Sequence, residues 1–141
     1  MSVVYLIGSL RGKLVEQAAK ALRAAGYEVF DDWFAAGPEA DDHWQRYSNE
    51  RGHTYKEALA GHAAQNVFAF DKKHLDRADI VVLVLPAGKS AHLELGYAIG
   101  QGKPGFVLFD EVPERYDVMY NFANAVCFSV DELLGEIKRR V

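Results

Sequence analysis

The stretch ADIVVLVLPAGKSAHLELGYAIGQGKPGFVLFD, residues 78–110, decides the fold. Its first run, IVVLVLP, is apolar without alternation, which is the pattern of a strand covered on both faces in a parallel sheet. A short loop and a helix from about Ser90 to Gly100 follow, and GFVLFD reads as the next strand. Upstream, SVVYLIG is another unbroken apolar strand, and SLRGKLVEQAAKALRAAGY carries helical spacing at Leu14, Ala18, Ala21, Leu22 and Ala25, with Gly26 as its stop. EVFD is a short second strand. Downstream lie a loop with prolines nearby, a weak strand AVCF and a closing helix VDELLGEIKRR.

Strands alternating with helices predict an α/β three-layer sandwich, doubly wound in the flavodoxin-like or Rossmann-like manner, with five strands expected to be all parallel. The middle of the chain is less regular. Gly37 and Pro38 read as a turn, Asp41 or Asp42 as a cap, and residues from about Thr54 to Arg77 as one helix or two, with Leu59, Ala63, Val67, Phe70 and Leu75 facing the core.

A chain of 141 residues, half of them hydrophobic, fits one compact domain over residues 1–141. The formal net charge is −4, and lysine and arginine gather only in the short segment IKRRV, which argues against a nucleic-acid polymer as partner. The single cysteine, Cys127, fits a reducing compartment. No signal-peptide pattern follows Met1, and no apolar run reaches the ~20 residues of a membrane span, so a cytoplasmic protein away from the membrane is expected.

In a doubly wound fold, function gathers where the C-terminal ends of the strands meet loops and helix starts. That directs attention to GSLRGK after the first strand, DDWF after the second and PAGKSAHLE after the third. Glu94 stands four residues after Ser90, read as the N-cap, and so near the first turn of its helix. The helix dipole alone accommodates an acid there, by ~0.3–1 kcal/mol. A capping box does not explain it, because Leu93 holds the position three residues after the cap. Glu94 shares a face with Ser90, Tyr97 and Gln101, and a partly desolvated carboxylate on a crevice suits a nucleophile or general base.

The glycines of IGSLRGK, Gly8 and Gly12, flank Ser9 and Arg11, an arrangement that presents backbone N–H groups and a forked donor to an anion. A plain tight turn explains the same glycines, and the spacing matches neither the dinucleotide nor the triphosphate motif. Tyr5 reads as a core residue of its strand. Asp71 reads as a helical aspartate that is either solvated or turned to the crevice. The five histidines lack metal-ligand spacing, so no metal is expected, and Ser90 and His92 make a poor serine triad. Trp33, Trp44, Tyr47 and Tyr55 suit a secondary core or a surface for stacking on a base.

With these residues in view, the chain resembles the nucleoside 2-deoxyribosyltransferase family and its relatives that hydrolyse nucleoside 5′-monophosphates at the N-glycosidic bond. The resemblance rests on VYLIGSLRG, DKKHLDRADIVVLVL and SAHLELGYAIGQGKP, in that order over residues 3–109, the last being the most specific. It implies Glu94 as nucleophile at the anomeric carbon, Tyr5 as the tyrosine that orients it, and Asp71 as the group handling protons at the departing base. It implies that Gly8, Ser9, Arg11 and Gly12, similar to the loop GSIRGG of the monophosphate hydrolases, hold a 5′-phosphate.

Gly88 departs from the pattern, since the transferases commonly carry aspartate and the hydrolases serine six residues before the nucleophile; Lys89 and Ser90 follow it. The resemblance also implies a homo-oligomer, a dimer or larger, with a segment such as DVMYNFANA, containing Met119 and Asn121, completing a partner's site. No cofactor is implied. Two other readings are a non-catalytic nucleotide-binding or sensing module of the same fold and a flavodoxin-like electron carrier, for which GSLRGK lacks the usual Ser/Thr-rich loop.

Overall fold

The computed structural model describes residues 1–8, 13–31 and 40–141. Gly37, Pro38 and Trp33 lie outside them. The described elements are β1 (Val3–Ile7), α1 (Lys13–Ala24), β2 (Glu28–Phe30), α2 (Ala40–Glu50), α3 (Tyr55–Ala60), α4 (His62–Arg77), β3 (Ile80–Val84), α5 (Lys89–Gly100), β4 (Gly105–Leu108), a 3₁₀ turn (Val118–Phe122), β5 (Ala125–Cys127) and α6 (Val130–Arg140). They fall into two compact units, Met1–Asp31 with Arg77–Val141, and Asp32–Asp76.

The first unit is a doubly wound α/β sandwich. Its sheet has five strands in the order β2-β1-β3-β4-β5, every pairing parallel. All residues of β1, β3 and β4 are buried, as unbroken apolar runs require. Right-handed crossovers running in opposite directions from the β1/β3 pair put α1 and α5 on opposite faces. The helix α6 packs beside α1, and α5 lies across β3, β1 and β4.

Local chemistry sets the ends of these elements. Gly26, with φ of +96°, and Gly102, with φ of +89°, follow α1 and α5 in a backbone conformation that a Cβ disfavours. In each case the two following amides return to helix carbonyls: Gly26 N to Arg23 O at 3.0 Å and Tyr27 N to Leu22 O at 3.1 Å, Gly102 N to Ile99 O at 2.9 Å and Lys103 N to Ala98 O at 3.2 Å. Pro104 then leads into β4. The Ser129 hydroxyl caps α6 by accepting from Glu132 N at 3.0 Å, while the Glu132 carboxylate accepts from Phe128 N at 3.1 Å.

Two side chains pin the strands at their starts. The Val3 amide donates to the Asp79 carboxylate and the Asp79 amide donates to the Val3 carbonyl, both at 2.8 Å. Asn124 does the same for β4 and β5, accepting from Gly105 N at 2.9 Å and donating its own amide to Gly105 O at 2.7 Å. Each reciprocal pair satisfies backbone groups just outside a ladder and fixes which residues face one another.

In the second unit the middle segment contains two helices after α2, and Gly61 separates them in extended backbone, φ −76° and ψ 160°. Thr54 and Glu57 start α3 with a reciprocal capping box. The break resets the helical phase, so one continuous apolar face does not form. Leu75 is buried and Ala63, Val67 and Phe70 are half-buried, but Leu59 is 48% exposed, and Ala58 and Ala64 are buried in its stead. Asp41 and Asp42 fall inside α2, which already begins at Ala40, so neither is its cap. Tyr47 and Tyr55 are exposed, Tyr47 lying under the Arg51 guanidinium at 3.5 Å, so these two stand outside any secondary core, while Trp44 is half-buried. No helix among the described residues is long and apolar enough to cross a membrane.

Two outcomes follow from the packing of the first unit. Leu133 on α6 is fully buried, so Leu133→Ala should lower stability by about 2–5 kcal/mol in a denaturant melt. The Cys127 thiol is buried, and desolvation, reinforced by the Glu132 and Glu136 charges, pushes its pKa up to about 11. At pH 8 a thiol reagent should therefore label none of the native protein and one equivalent after denaturation.

Candidate functional site

The strand order makes β1 and β3 the switch point, because the chain leaves β1 toward β2 on one side and β3 toward β4 on the other. In this class of fold the ligand crevice lies outside the C-terminal ends of the strands at such a point. Gly8 is the first residue beyond β1. A Cβ there would stand 3.1 Å from the Val84 carbonyl oxygen and 3.2 Å from Val15 Cγ2, so glycine permits the backbone at this position to lie against the end of β3. Ser9, Arg11 and Gly12 lie outside the described residues.

Tyr5 is 1% exposed and stacks on Phe30 of β2, ring centroids 5.1 Å apart and planes 22° apart. It sits between its ladder partners Phe30 and Val81. The core reading of Tyr5 is thus correct for its ring.

Beyond β3 the chain passes through a cis Leu85–Pro86 peptide to Gly88, the N-cap of α5. The helix therefore starts before Ser90, which is exposed on its first turn and caps nothing. Glu94 consequently occupies the sixth helical position, and no acid lies in the first turn. The dipole's influence is concentrated in that first turn, so it does not account for Glu94. The carboxylate is half-buried, and the next turn on its face carries Tyr97, whose hydroxyl accepts from Gln101 Nε2 at 3.0 Å. Leu95 and Ala98 form the buried face of the helix.

Gly88 has φ −91° and ψ −160°, an extended conformation that any residue adopts, and a Cβ would meet nothing within 4 Å. Its backbone does not require glycine. No side chain caps the helix start. His92 Nδ1 stands 2.8 Å from the Gly88 carbonyl oxygen, and its Nε2 2.9 Å from the Tyr120 hydroxyl. A carbonyl only accepts, so Nδ1 carries a proton; in the neutral ring Nε2 then accepts from the phenol.

Tyr120 belongs to the 3₁₀ turn Val118–Phe122. The turn is capped by the Asp117 carboxylate, which accepts from Met119 N at 2.8 Å, and closed by Asn121 Nδ2 donating to Val118 O at 3.0 Å. Burial, followed by the Asp117 charge, raises the Tyr120 pKa, which keeps the phenol protonated as a donor. Its ring meets Phe109 edge-on at 5.6 Å, and Phe109 stacks on Phe128 at 5.3 Å. These aromatics, with Tyr116 and Asp117, line a concavity of about 210 Å³ at the ends of β4 and β5. Met119 is 58% exposed, and Asn121 is exposed with its amide spent on its own turn.

The first unit thus holds Tyr5, Gly8, Gly88, Ser90, Glu94, Met119 and Asn121. Asp71 is half-buried on α4 and belongs to the second unit. His92 was weighed from sequence only for a serine triad, and Tyr120 only as part of the DVMYNFANA segment, so the link between them was missed. The spacing of Gly88 and His92 was there to be noticed, but the partner 28 residues away was not. Among the described residues no group of three or more His, Cys, Asp or Glu side chains is placed to hold a metal ion.

No family model matches the sequence, and neither does any curated protein. Solved structures do match the fold. A 2-deoxyribosyltransferase from the psychrotolerant bacterium Bacillus psychrosaccharolyticus aligns with a TM-score of 0.64 at 19% identity, covering 94% of this chain and 90% of that one. The CMP N-glycosidase BcmB of Clostridium botulinum aligns at 0.56 and 15% identity over 97% and 99% of the two chains. The response regulator TrrA of Thermotoga maritima, solved with Mg²⁺-BeF, aligns at 0.59 and 17% identity over the whole of both. At such identities the likeness concerns the fold, which serves unrelated chemistries.

The open space at Gly88 yields a test of its own. Gly88→Ser and Gly88→Asp should fold normally and gain a few tenths of a kcal/mol from the new cap, read as a slightly higher denaturation midpoint.

Proposed function

We propose that the protein cleaves the N-glycosidic bond of a nucleoside or nucleoside 5′-monophosphate, with Glu94 as nucleophile. The observation that carries this reading is the half-buried Glu94 on the helix that follows β3 at the switch point, past the turn where a dipole would explain an acid. The sequence resemblance and the fold shared with a 2-deoxyribosyltransferase and a CMP N-glycosidase support it.

In this reading the Glu94 carboxylate attacks the anomeric carbon as the carbon–nitrogen bond breaks and its electron pair leaves with the base. Positive charge builds on the sugar in the transition state, and the carboxylate stabilises it before bonding to it. Asp71 in its acid form gives the base the proton that makes it a competent leaving group. The glycosyl ester is then opened at the anomeric carbon by water or by a second base, whose proton Asp71 takes back, and Glu94 is released as carboxylate. Tyr5 orients Glu94. Gly8, Ser9, Arg11 and Gly12 hold a 5′-phosphate, and Gly88 and Ser90 line the sugar's 5′ side. The protein works as one cytoplasmic domain in a homo-oligomer, with Met119 and Asn121 offered to a partner's site.

A second reading is a non-catalytic nucleotide-binding or sensing module, favoured by the equally complete match to a response regulator. Incubating the chain with deoxy- and ribonucleosides and their monophosphates, with and without a second base, separates the two. Release of free base that falls by about a thousandfold or more in Glu94→Ala supports the enzyme. Asp71→Asn should cost about 10²–10⁴-fold. No base released from any substrate, or equal release by Glu94→Ala, would refute it. A new nucleoside formed only with acceptor base selects transfer over hydrolysis.

A further inference from the structure

We infer that His92 is a positioning residue that locks the Tyr120 turn to the Gly88 turn and thereby sets the shape of the substrate's 5′ side. The inference rests on the N-glycosidic reading for its substrate, but the bridge itself stands on geometry. One imidazole ring spans two elements that no ladder joins: Nδ1–H donates to the Gly88 carbonyl at 2.8 Å, and Nε2 accepts from the Tyr120 hydroxyl at 2.9 Å.

Both ends of the bridge are held. Gly88 is the N-cap of α5, and its carbonyl lies at 3.3 Å from the His92 amide as well. Tyr120 is braced edge-on by Phe109 at 5.6 Å, and its turn is tied by Asp117 and Asn121. The ring planes of His92 and Tyr120 are tilted at 37° with centroids 5.8 Å apart, so the hydrogen bond rather than stacking fixes their relation.

The N-cap of α5 has no side-chain capping bond of its own, and an added Cβ at Gly88 would meet open space. The Gly88 carbonyl is instead held twice by His92, by its backbone amide at 3.3 Å and by its ring Nδ1 at 2.8 Å. Fixing both nitrogens also fixes the tautomer, Nδ1–H rather than the Nε2–H form that free neutral imidazole prefers in water. Met119 and Asn121 flank Tyr120, so the same bond orients the two side chains read as reaching a partner's site.

Two side-chain replacements divide the bridge. His92→Asn keeps a donor near the Nδ1 position and loses the reach to Tyr120. His92→Gln keeps a polar group near the Nε2 position and loses the bond to Gly88. Tyr120→Phe removes the phenol alone. Because loss of the hydrogen bond loosens placement rather than chemistry, His92→Asn and Tyr120→Phe should each raise KM about threefold to tenfold with kcat within about twofold. The pair together should cost no more than either alone. In the absence of substrate, ¹⁵N spectra should show His92 protonated at Nδ1 in the parent and in Tyr120→Phe.

A parent ring with no proton on Nδ1 would overturn the bridge whether or not turnover is seen. Additive effects of His92→Asn and Tyr120→Phe, or unchanged KM in both, would overturn its role at the substrate. A parent that shows the Nδ1–H tautomer and turns over no substrate would uphold the bridge and sink the N-glycosidic reading.

Discussion

The parallel pairing of β1 with β3 is the constraint from which the rest of the first unit follows. Both strands are wholly buried, and Asp79 locks their starts by exchanging hydrogen bonds with Val3 at 2.8 Å in each direction. The chain winds away from this pair in both directions, so α1 and α5 are driven to opposite faces. Gly8 then allows the backbone just past β1 to lie within van der Waals reach of the Val84 carbonyl. Because both faces of these strands are buried, their apolar pattern alone does not set the register, and the Asp79–Val3 exchange does so at their starts.

On that frame the candidate site is assembled from short local devices. The helix that carries Glu94 begins at a glycine without a capping side chain, is steadied by His92, and ends at Gly102 and Pro104. The GKP segment singled out in the sequence is therefore the stop signal of α5, and it delivers the chain into β4. In the ELGYA segment Leu95 and Ala98 are buried and anchor the helix, and the half-buried Glu94 stands beside them.

The sheet was legible because burial on both faces writes itself as unbroken apolar runs: VVYLI, IVVLV and GFVL stand where they were expected. The stop at Gly26 was legible because it depends on neighbours in sequence. Leu59 was misplaced because one extended residue, Gly61, resets the helical phase and nothing in the periodicity marks it. The start of α5 was read two residues late, since Ser90 is the better capping residue and Gly88 the actual cap. The bond from His92 to Tyr120 joins residues that only the folded chain brings together. Asp71 stands in the second unit, and its assignment still derives from the resemblance alone.

The central claim is a covalent bond between Glu94 and a sugar, and the most direct measurement is the mass of the protein quenched during turnover. A nucleoside with fluorine at the 2′ carbon is the suitable probe, because the electron-withdrawing substituent slows opening of the ester once the base has left. The account expects a mass increase equal to one glycosyl residue, located by peptide mapping on Glu94. Base release with no adduct, or an adduct on any other residue, would contradict it.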